Sequence, residues 1–301
     1  MAPLPADAVA TRAAEDLAAT AAELVSCGSL EMGADTPQDA LRIASLLPAG
    51  TPVYVNHLPR RALAHTLPAL VALKEAGLDP VPHIAARRIG SRAEAASFLK
   101  EAVAVAGVRK VLLIGGDLPE PAGPYADAAA LLRQGLLGDC GLAQVGLAGY
   151  PEGHPRIATA ALAAALAEKL ALAARQGLGA YVVTQFCFAP NRIVEYCADL
   201  ARRAPQAPVY VGLAGPTSPV SLLRYAHRCG VSASLRALQA QGMGAVRLVT
   251  HVDPGDQLSV LARHSRMGSA SNVVGVHLYS FGGVARTAAW MNERITARSG
   301  A

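Results

Sequence analysis

Carboxyl groups follow apolar runs at two places in this sequence where they could do chemistry. Glu31 ends the run 24–31, and burial at such a position would raise the pKa of its carboxyl group and allow it to act as a general acid. Asp117 follows Gly115-Gly116, where the missing side chains let a ligand or a neighbouring backbone approach closely. The alternatives are a solvated loop glutamate and a tight turn in which the aspartate is a local cap.

Two further segments display hydrogen-bonding and aromatic groups after apolar runs. The loop 149–155 presents Tyr150, Glu152 and His154 between two prolines and two glycines, which suits stacking and hydrogen bonding to an organic ligand. Gln185 closes another run, and its amide could pair with the edge of a heterocycle or bridge two loops. No His, Cys or Asp cluster with metal-ligand spacing accompanies them, so no metal site is predicted.

These side chains need strands that bring them to one place. The alternation of apolar, β-branched runs with Ala/Leu-rich segments predicts βα units. Strands are predicted at 24–31, 52–58, 79–85, 110–115, 143–149, 180–186, 208–214 and 272–279. Helices are predicted near 5–24, 60–77, 91–106, 124–137, 156–177, 190–203, 219–229, 232–241, 256–267 and 284–298.

Eight such units without a composition break predict an α/β fold, a single (β/α)8 TIM barrel with an extra N-terminal helix. The predicted domains are an N-terminal helical extension, 1–23, and a TIM-barrel domain, 24–301. A doubly wound open sheet is the alternative. The barrel is favoured because the polar residues gather at predicted strand ends, where barrel enzymes place their active sites.

Composition excludes several classes of protein. The chain has 301 residues, of which 52% are hydrophobic and 16% charged, so a globular domain rather than a disordered chain is expected. A net charge of +5 without basic runs predicts no nucleic-acid partner, and no segment is long and apolar enough to predict a membrane span. Five scattered cysteines and the absence of a secretory signal pattern predict free thiols and a cytoplasmic location.

Taken in order, several motifs resemble those of the methylenetetrahydrofolate reductase family. They are VPHIA around His83, GGDLP around Asp117, AGYPEGHP around Tyr150, TQFCF around Gln185 and VHLYS around Tyr279. The resemblance implies a TIM barrel that reduces 5,10-methylenetetrahydrofolate to 5-methyltetrahydrofolate with NAD(P)H through FAD. It further implies a flavoprotein of one-carbon metabolism.

The resemblance also implies roles for individual residues. Glu31 would be the general acid, and Asp117 would stabilise the cationic iminium beside the flavin. Gln185, Phe186 and Tyr279 would contact the folate. The implied cofactor-binding residues are His57, His83, Gly116, Asp117, Tyr125, Ala148, Tyr150, His154 and Lys169.

The sequence departs from the family pattern mainly at FAD positions. Gly115 replaces an arginine, His57 a threonine, and Ala163 and Leu166 an acid and an amide. These losses predict weak FAD binding, or hydride transfer directly from NAD(P)H. Alternative functions are a folate- or corrinoid-linked methyl-transfer protein and a non-catalytic folate-binding protein on the same barrel. A homo-oligomer is compatible with the sequence.

Overall fold

The computed structural model describes residues 6–218, 221, 225, 253–266 and 271–297, and its sheet is a closed barrel of eight parallel strands. Each strand pairs with the next in sequence, and β1 closes the barrel against β8. The strands are β1 Ser29–Met32, β2 Pro52–Val55, β3 Asp79–Ala85, β4 Lys110–Ile114, β5 Gln144–Gly149, β6 Gly179–Thr184, β7 Val209–Ala214 and β8 Val273–Tyr279. The predicted (β/α)8 barrel is confirmed.

Helices surround the barrel. They are α1 Ala6–Ser26, α2 Asp39–Ala44, α3 Leu67–Glu75, α4 Arg92–Ala106, α5 Ala128–Leu132, α6 Leu136–Asp139, α7 Thr159–Arg175, α8 Pro190–Arg203, α9 Gly255–Arg266 and α10 Val284–Thr296. Short 3₁₀ helices cover Leu63–Thr66 and Ala86–Arg88. The helices predicted near 219–229 and 232–241 lie outside the described residues, apart from Ser221 and Tyr225.

Several predicted elements are wrong in their bounds, and two of them show why. The run 24–31 does not begin a strand at Leu24, because α1 continues to Ser26. The end of α1 packs against β8, and Val25 is fully buried there. The helix predicted at 124–137 is two short helices, α5 and α6. Gly135 lies between them with φ of +68°, a left-handed conformation that ends a helix and that glycine adopts readily.

Side chains alternate along each strand between the barrel interior and the helices. Leu30 and Met32 of β1 pack in the outer core, so Ser29 and Glu31 face the interior. The interior is filled by Tyr54, Val81, Leu112, Tyr181 and Val183. This cluster closes the inside of the barrel, so the barrel is a packed core rather than a pore.

The described residues also bear on the predictions about membranes and thiols. Among them, no helix combines the length and the apolar character that a membrane span requires. Cys27, Cys140, Cys187 and Cys197 are free, as predicted, while Cys229 lies outside the described residues.

Candidate active site

A buried carboxyl group lies at the carboxyl end of β1, in contact with side chains from two other strands and from the residue after a third. The Glu31 Oε1 atom is 3.4 Å from Nε2 of His277 on β8 and 3.6 Å from Nε2 of His83 on β3. Asn56, directly after β2, donates from Nδ2 to Glu31 Oε2 at 3.3 Å. The far side of the His277 ring contacts Ser29, with 2.8 Å between Nδ1 and the hydroxyl oxygen. The barrel thus places one carboxylate among two imidazoles and an amide.

The neighbours of Glu31 decide the sign of its pKa shift. Burial by itself raises the pKa of the Glu31 carboxyl group. The hydrogen bond from His277, the electrostatic effects of His83 and His277, and the hydrogen bond from Asn56 together outweigh burial, so the pKa of Glu31 is lowered overall. The raised pKa expected from burial alone is therefore wrong for the protein without substrate.

His83 is held neutral in this cluster. Burial lowers the pKa of His83 to about 4, against a partial opposing effect of Glu31. The ring packs edge-on against Tyr54, with 5.8 Å between ring centroids, and Tyr54 contacts the His277 ring at 4.6 Å. The Tyr54 hydroxyl is hydrogen-bonded to that of Tyr181 across the barrel at 2.9 Å. His83 is consequently a neutral packing partner of Glu31 near neutral pH.

Asp117, the second predicted catalytic carboxylate, is paired with an arginine. Arg88 donates to Asp117 Oδ1 from Nε at 3.1 Å and from Nη2 at 2.5 Å. The Nη1 atom of the same guanidinium donates to the carbonyl oxygen of His57 at 2.9 Å. The Arg88 side chain is only 11% exposed, whereas that of Asp117 is 58% exposed. Arg88 therefore joins the ends of β2 and β4 and compensates the charge of Asp117.

The loop that carries Asp117 is tied to the segment after β3. The Arg87 side chain donates to the carbonyl oxygens of Leu118 at 2.7 Å, Pro119 at 2.5 Å and Ala126 at 2.7 Å. Its backbone nitrogen also donates to Gly115 at 2.9 Å. A Cβ atom at Gly115 would meet nothing within 4 Å, and Gly116 has a φ of +92°, a conformation that glycine adopts readily. These glycines therefore serve the turn before Asp117 rather than the close approach of a ligand or a backbone.

Gly123 lies in this loop and packs closely against the backbone of Ile89 and Gly90. A Cβ atom at position 123 would lie 2.3 Å from the Gly90 carbonyl oxygen and 2.5 Å from that of Ile89. Because both obstacles are backbone atoms, we expect Gly123→Ala to lower the free energy of unfolding by about 2 kcal/mol. Gly115→Ala is the matched control, since a Cβ at Gly115 meets nothing within 4 Å. Urea denaturation of both variants measures the difference, and equal midpoints would contradict the tight packing.

The predicted folate contacts form an aromatic group on another side of the mouth. Phe186 is fully buried, and its ring lies 5.3 Å from that of Tyr279 and 5.0 Å from that of Phe281. The Tyr279 hydroxyl donates to the Thr184 carbonyl oxygen at 2.9 Å. Gln185 lies directly after β6 and is half-buried, and its backbone nitrogen donates to Gly149 at 2.8 Å. The structure brings these three residues together, and their contact with a folate stays a prediction.

The residues predicted to contact the cofactor lie in different environments. Tyr150 and His154 lie in one loop after β5 with ring centroids 5.7 Å apart, and Ala148 precedes them on β5. Lys169 lies on α7, where burial lowers its pKa against the opposing charges of Asp127 and Glu168. Tyr125 has no exposed area, and its hydroxyl donates to Gln134 at 2.9 Å. A buried tyrosine with a satisfied hydroxyl argues against a contact with a cofactor.

The described residues leave little room for FAD at two of its predicted contacts, beside Asp117 and beside Tyr125. A flavin beside Asp117, His57 and Gly116 would have to share that place with the Arg88 guanidinium, which already bridges Asp117 and the His57 backbone. Next to Tyr125, helices α5 and α7 pack against each other, and Arg133 of that region pairs with Glu168. A dinucleotide between these helices would need them to separate.

Sequence reasoning missed several residues of this site, among them Ser29, and three of the others carried a signal. The signal for Arg88 was the Arg87-Arg88 dipeptide, which closely follows the apolar strand β3. His277 lies two residues before Tyr279 and therefore on the same face of β8, which strand periodicity alone could have shown. Phe281 adopts φ of +48°, unusual for a residue with a side chain, and its signal is an aromatic residue before Gly282-Gly283 at a strand end.

One family model and several solved structures match this chain. The family model described as methylenetetrahydrofolate reductase matches residues 52–239, more than half of the chain. Among solved structures, Yersinia pestis DHPS with a pterine-sulfa conjugate is 14% identical with a TM-score of 0.47, covering 91% of this chain and 93% of that one. A mutant tryptophan synthase alpha-subunit from Pyrococcus furiosus is 15% identical with a TM-score of 0.48, covering 91% and 98%.

Proposed function

The chain belongs to the methylenetetrahydrofolate reductase family, and we propose that it reduces 5,10-methylenetetrahydrofolate to 5-methyltetrahydrofolate with hydride taken directly from NAD(P)H. The observation that carries this proposal is the buried Glu31 in contact with His277 and Asn56 at the carboxyl end of the barrel. Ring opening needs an acid, and this is the carboxyl group that the barrel presents for it. Glu31 lies outside the matched residues, so its role rests on its position at the end of β1 and on the family resemblance.

The proposed reaction proceeds by proton transfer, ring opening and hydride transfer. Glu31 protonates the N10 nitrogen of the folate, the five-membered ring opens, and an iminium forms between N5 and the methylene carbon. NAD(P)H then delivers a hydride to that carbon, which becomes the methyl group, and leaves as NAD(P)⁺. One proton and one hydride are consumed for each methyl group.

Glu31 must gain a proton before it can donate one. Its pKa is lowered in the free protein, and the His83 ring, with a pKa of about 4, is uncharged at neutral pH and is a poor proton donor. His277 is the remaining contact, and its ring lies between Glu31 and the Ser29 hydroxyl. A bound folate would also exclude water from the carboxyl group and raise its pKa. We propose that His277 and Ser29 position and resupply this proton.

Asp117 has a smaller part in this scheme than the motif implies. Its carboxylate is compensated by Arg88, so the pair offers little net negative charge to the iminium. Glu31 becomes an anion when it gives up its proton, and it is then the carboxylate that stabilises the cation. The catalytic role of Asp117 stays a prediction.

The purified protein itself tests the direct transfer of hydride. We expect a colourless preparation that forms methyltetrahydrofolate from methylenetetrahydrofolate and NADH or NADPH without added FAD. Absorbance in the visible range and product analysis by mass spectrometry measure the two properties. A stoichiometric flavin spectrum, or turnover that appears only after FAD is added, would sink the flavin-free mechanism.

Controls separate the alternative functions. Methyl exchange in the absence of NAD(P)H would identify a methyl-transfer protein. Folate binding without oxidation of NAD(P)H, with or without FAD, would identify a binding protein and overturn the proposed reaction.

A further inference from the structure

A cavity of about 370 Å³ lies among the outer helices, between α8 and α9, and its volume is in the range of small-molecule pockets. The described residues that line it are Asn191, Val194 and Glu195 of α8 and Val260, Arg263 and His264 of α9. None of them belongs to the candidate active site or to the positions that the family resemblance assigns to a folate or a cofactor. The cavity is therefore separate from the reaction proposed above.

The lining residues form one face of each helix. On both helices they are spaced i, i+3 and i+4, which is the spacing of neighbours on a helix surface. The face of α8 carries the carboxylate of Glu195, and the face of α9 carries the guanidinium of Arg263. Each face also has an apolar part, because Val194 and Val260 are half-buried there. The two walls thus present opposite charges beside apolar surface.

The His264 ring is the most deeply buried polar group of this lining. His264 is 8% exposed, and its Nε2 atom has no hydrogen-bonding partner in the part of the chain that the structure describes. Burial lowers the pKa of His264, so the ring is neutral near neutral pH. A buried polar atom without a partner is costly. A ligand whose polar group enters beside Arg263 supplies a partner for this ring.

The charged groups of the two walls are weakly engaged within the protein. Arg263 has no ion-pair partner among the residues that the structure describes. Glu195 lies 3.6 Å from Arg192 on its own helix, and both of these side chains are 67% exposed. An ion pair so exposed contributes about 0–1 kcal/mol. Glu195 can therefore exchange this contact for a ligand at little cost.

We propose that this cavity binds a free L-amino acid with an apolar side chain. Arg263 and the neutral His264 ring donate to the α-carboxylate, and Glu195 accepts from the α-ammonium group. The side chain of the ligand packs against Val194 and Val260. A simple anion would be repelled by the carboxylate of one wall, and a simple cation by the guanidinium of the other. A zwitterion is complementary to both walls at once.

Three matched ligands test the two charges of the ligand. L-leucine, isocaproate and isoamylamine share one branched alkyl chain, but isocaproate lacks the ammonium group and isoamylamine lacks the carboxylate. In equilibrium dialysis of the full chain with radiolabelled L-leucine, we expect saturable binding. Leucine should bind at least about tenfold more tightly than either analogue in competition. Absence of saturable binding for both L-leucine and L-phenylalanine overturns the proposal, and so does isocaproate that competes as well as leucine.

Variants of the full chain assign each charge of the ligand to one wall. Arg263→Gln should raise the Kd for leucine at least about tenfold and remove its advantage over isoamylamine. Glu195→Gln should remove the advantage of leucine over isocaproate. Arg266→Gln is the matched control, because Arg266 lies on α9 outside the lining and its exposed ion pair with Asp16 contributes little to stability.

His264→Phe tests the buried ring. We expect this variant to weaken leucine binding at least about threefold, because one hydrogen bond to the carboxylate is lost. The free energy of unfolding should not fall, since the unpartnered Nε2 atom is removed. Leucine affinity unchanged in both Arg263→Gln and Glu195→Gln would place the bound amino acid elsewhere and overturn the site. These measurements need neither folate nor NAD(P)H, so their result is independent of the proposed reaction.

Discussion

Replacing Glu31 by glutamine is expected to reduce kcat for methylenetetrahydrofolate reduction by about 10²–10⁴-fold. Glutamine keeps the size and hydrogen-bonding reach of the side chain but cannot supply the proton that opens the ring. The amide can still contact His277 and Asn56, so the pocket is preserved and folate binding should change little. Steady-state oxidation of NAD(P)H and a folate titration measure the two effects. A loss in kcat with a nearly unchanged Kd identifies an acid rather than a binding residue.

Two further variants accompany Glu31→Gln. One makes the same chemical change at a distant glutamate, and the other replaces His277, the proposed proton partner of Glu31. Glu101→Gln, an exposed position on α4, should leave turnover unchanged. His277→Asn should lower kcat and shift its pH profile, because the resupply of the proton is impaired. Normal turnover in Glu31→Gln would remove this residue from the mechanism, whatever His277→Asn shows.

The fold was predictable where local signals agree with the packing. Helix α8 has the predicted bounds because Pro190 marks its first turn and the segment is strongly amphipathic. The start of β1 was not predictable from the apolar run 24–31. The close approach of Gly28 to the Val276 carbonyl oxygen, 2.7 Å from a Cβ built there, depends on a strand near the other end of the chain.

The candidate site likewise depends partly on local sequence patterns and partly on contacts between residues that are far apart along the chain. Strand ends place Glu31 at the barrel mouth, and that much follows from the sequence. The direction of its pKa shift depends on His277, which is 246 residues away along the chain. The pairing of Asp117 with Arg88 likewise joins residues 29 positions apart. Such contacts are set by barrel closure and by loop conformation, and neither has a local pattern in the sequence.

His83 makes the second large prediction, on stability toward acid. Its pKa is about 4 in the folded protein and about 6.5 when unfolded, so between these values the unfolded state binds the extra proton. The contribution of His83 to stability is complete above pH 6.5 and is lost as the pH falls toward 4. The shift corresponds to about 3 kcal/mol of unfolding free energy. In His83→Gln this loss should be absent.

Urea denaturation of wild type and His83→Gln at pH 8, 6, 5 and 4 measures this contribution. At pH 8 the two differ by the altered packing against Tyr54 and the altered contact with Glu31, and that difference is the baseline. Burial lowers the pKa of His57, His154 and His264 as well, so both proteins lose stability in acid through these residues. Since this part is common to both, the gap between the curves reports His83 together with its effect on Glu31, and it should narrow or reverse toward pH 4. Parallel curves would show that His83 takes up its proton as readily in the folded chain as in the unfolded one.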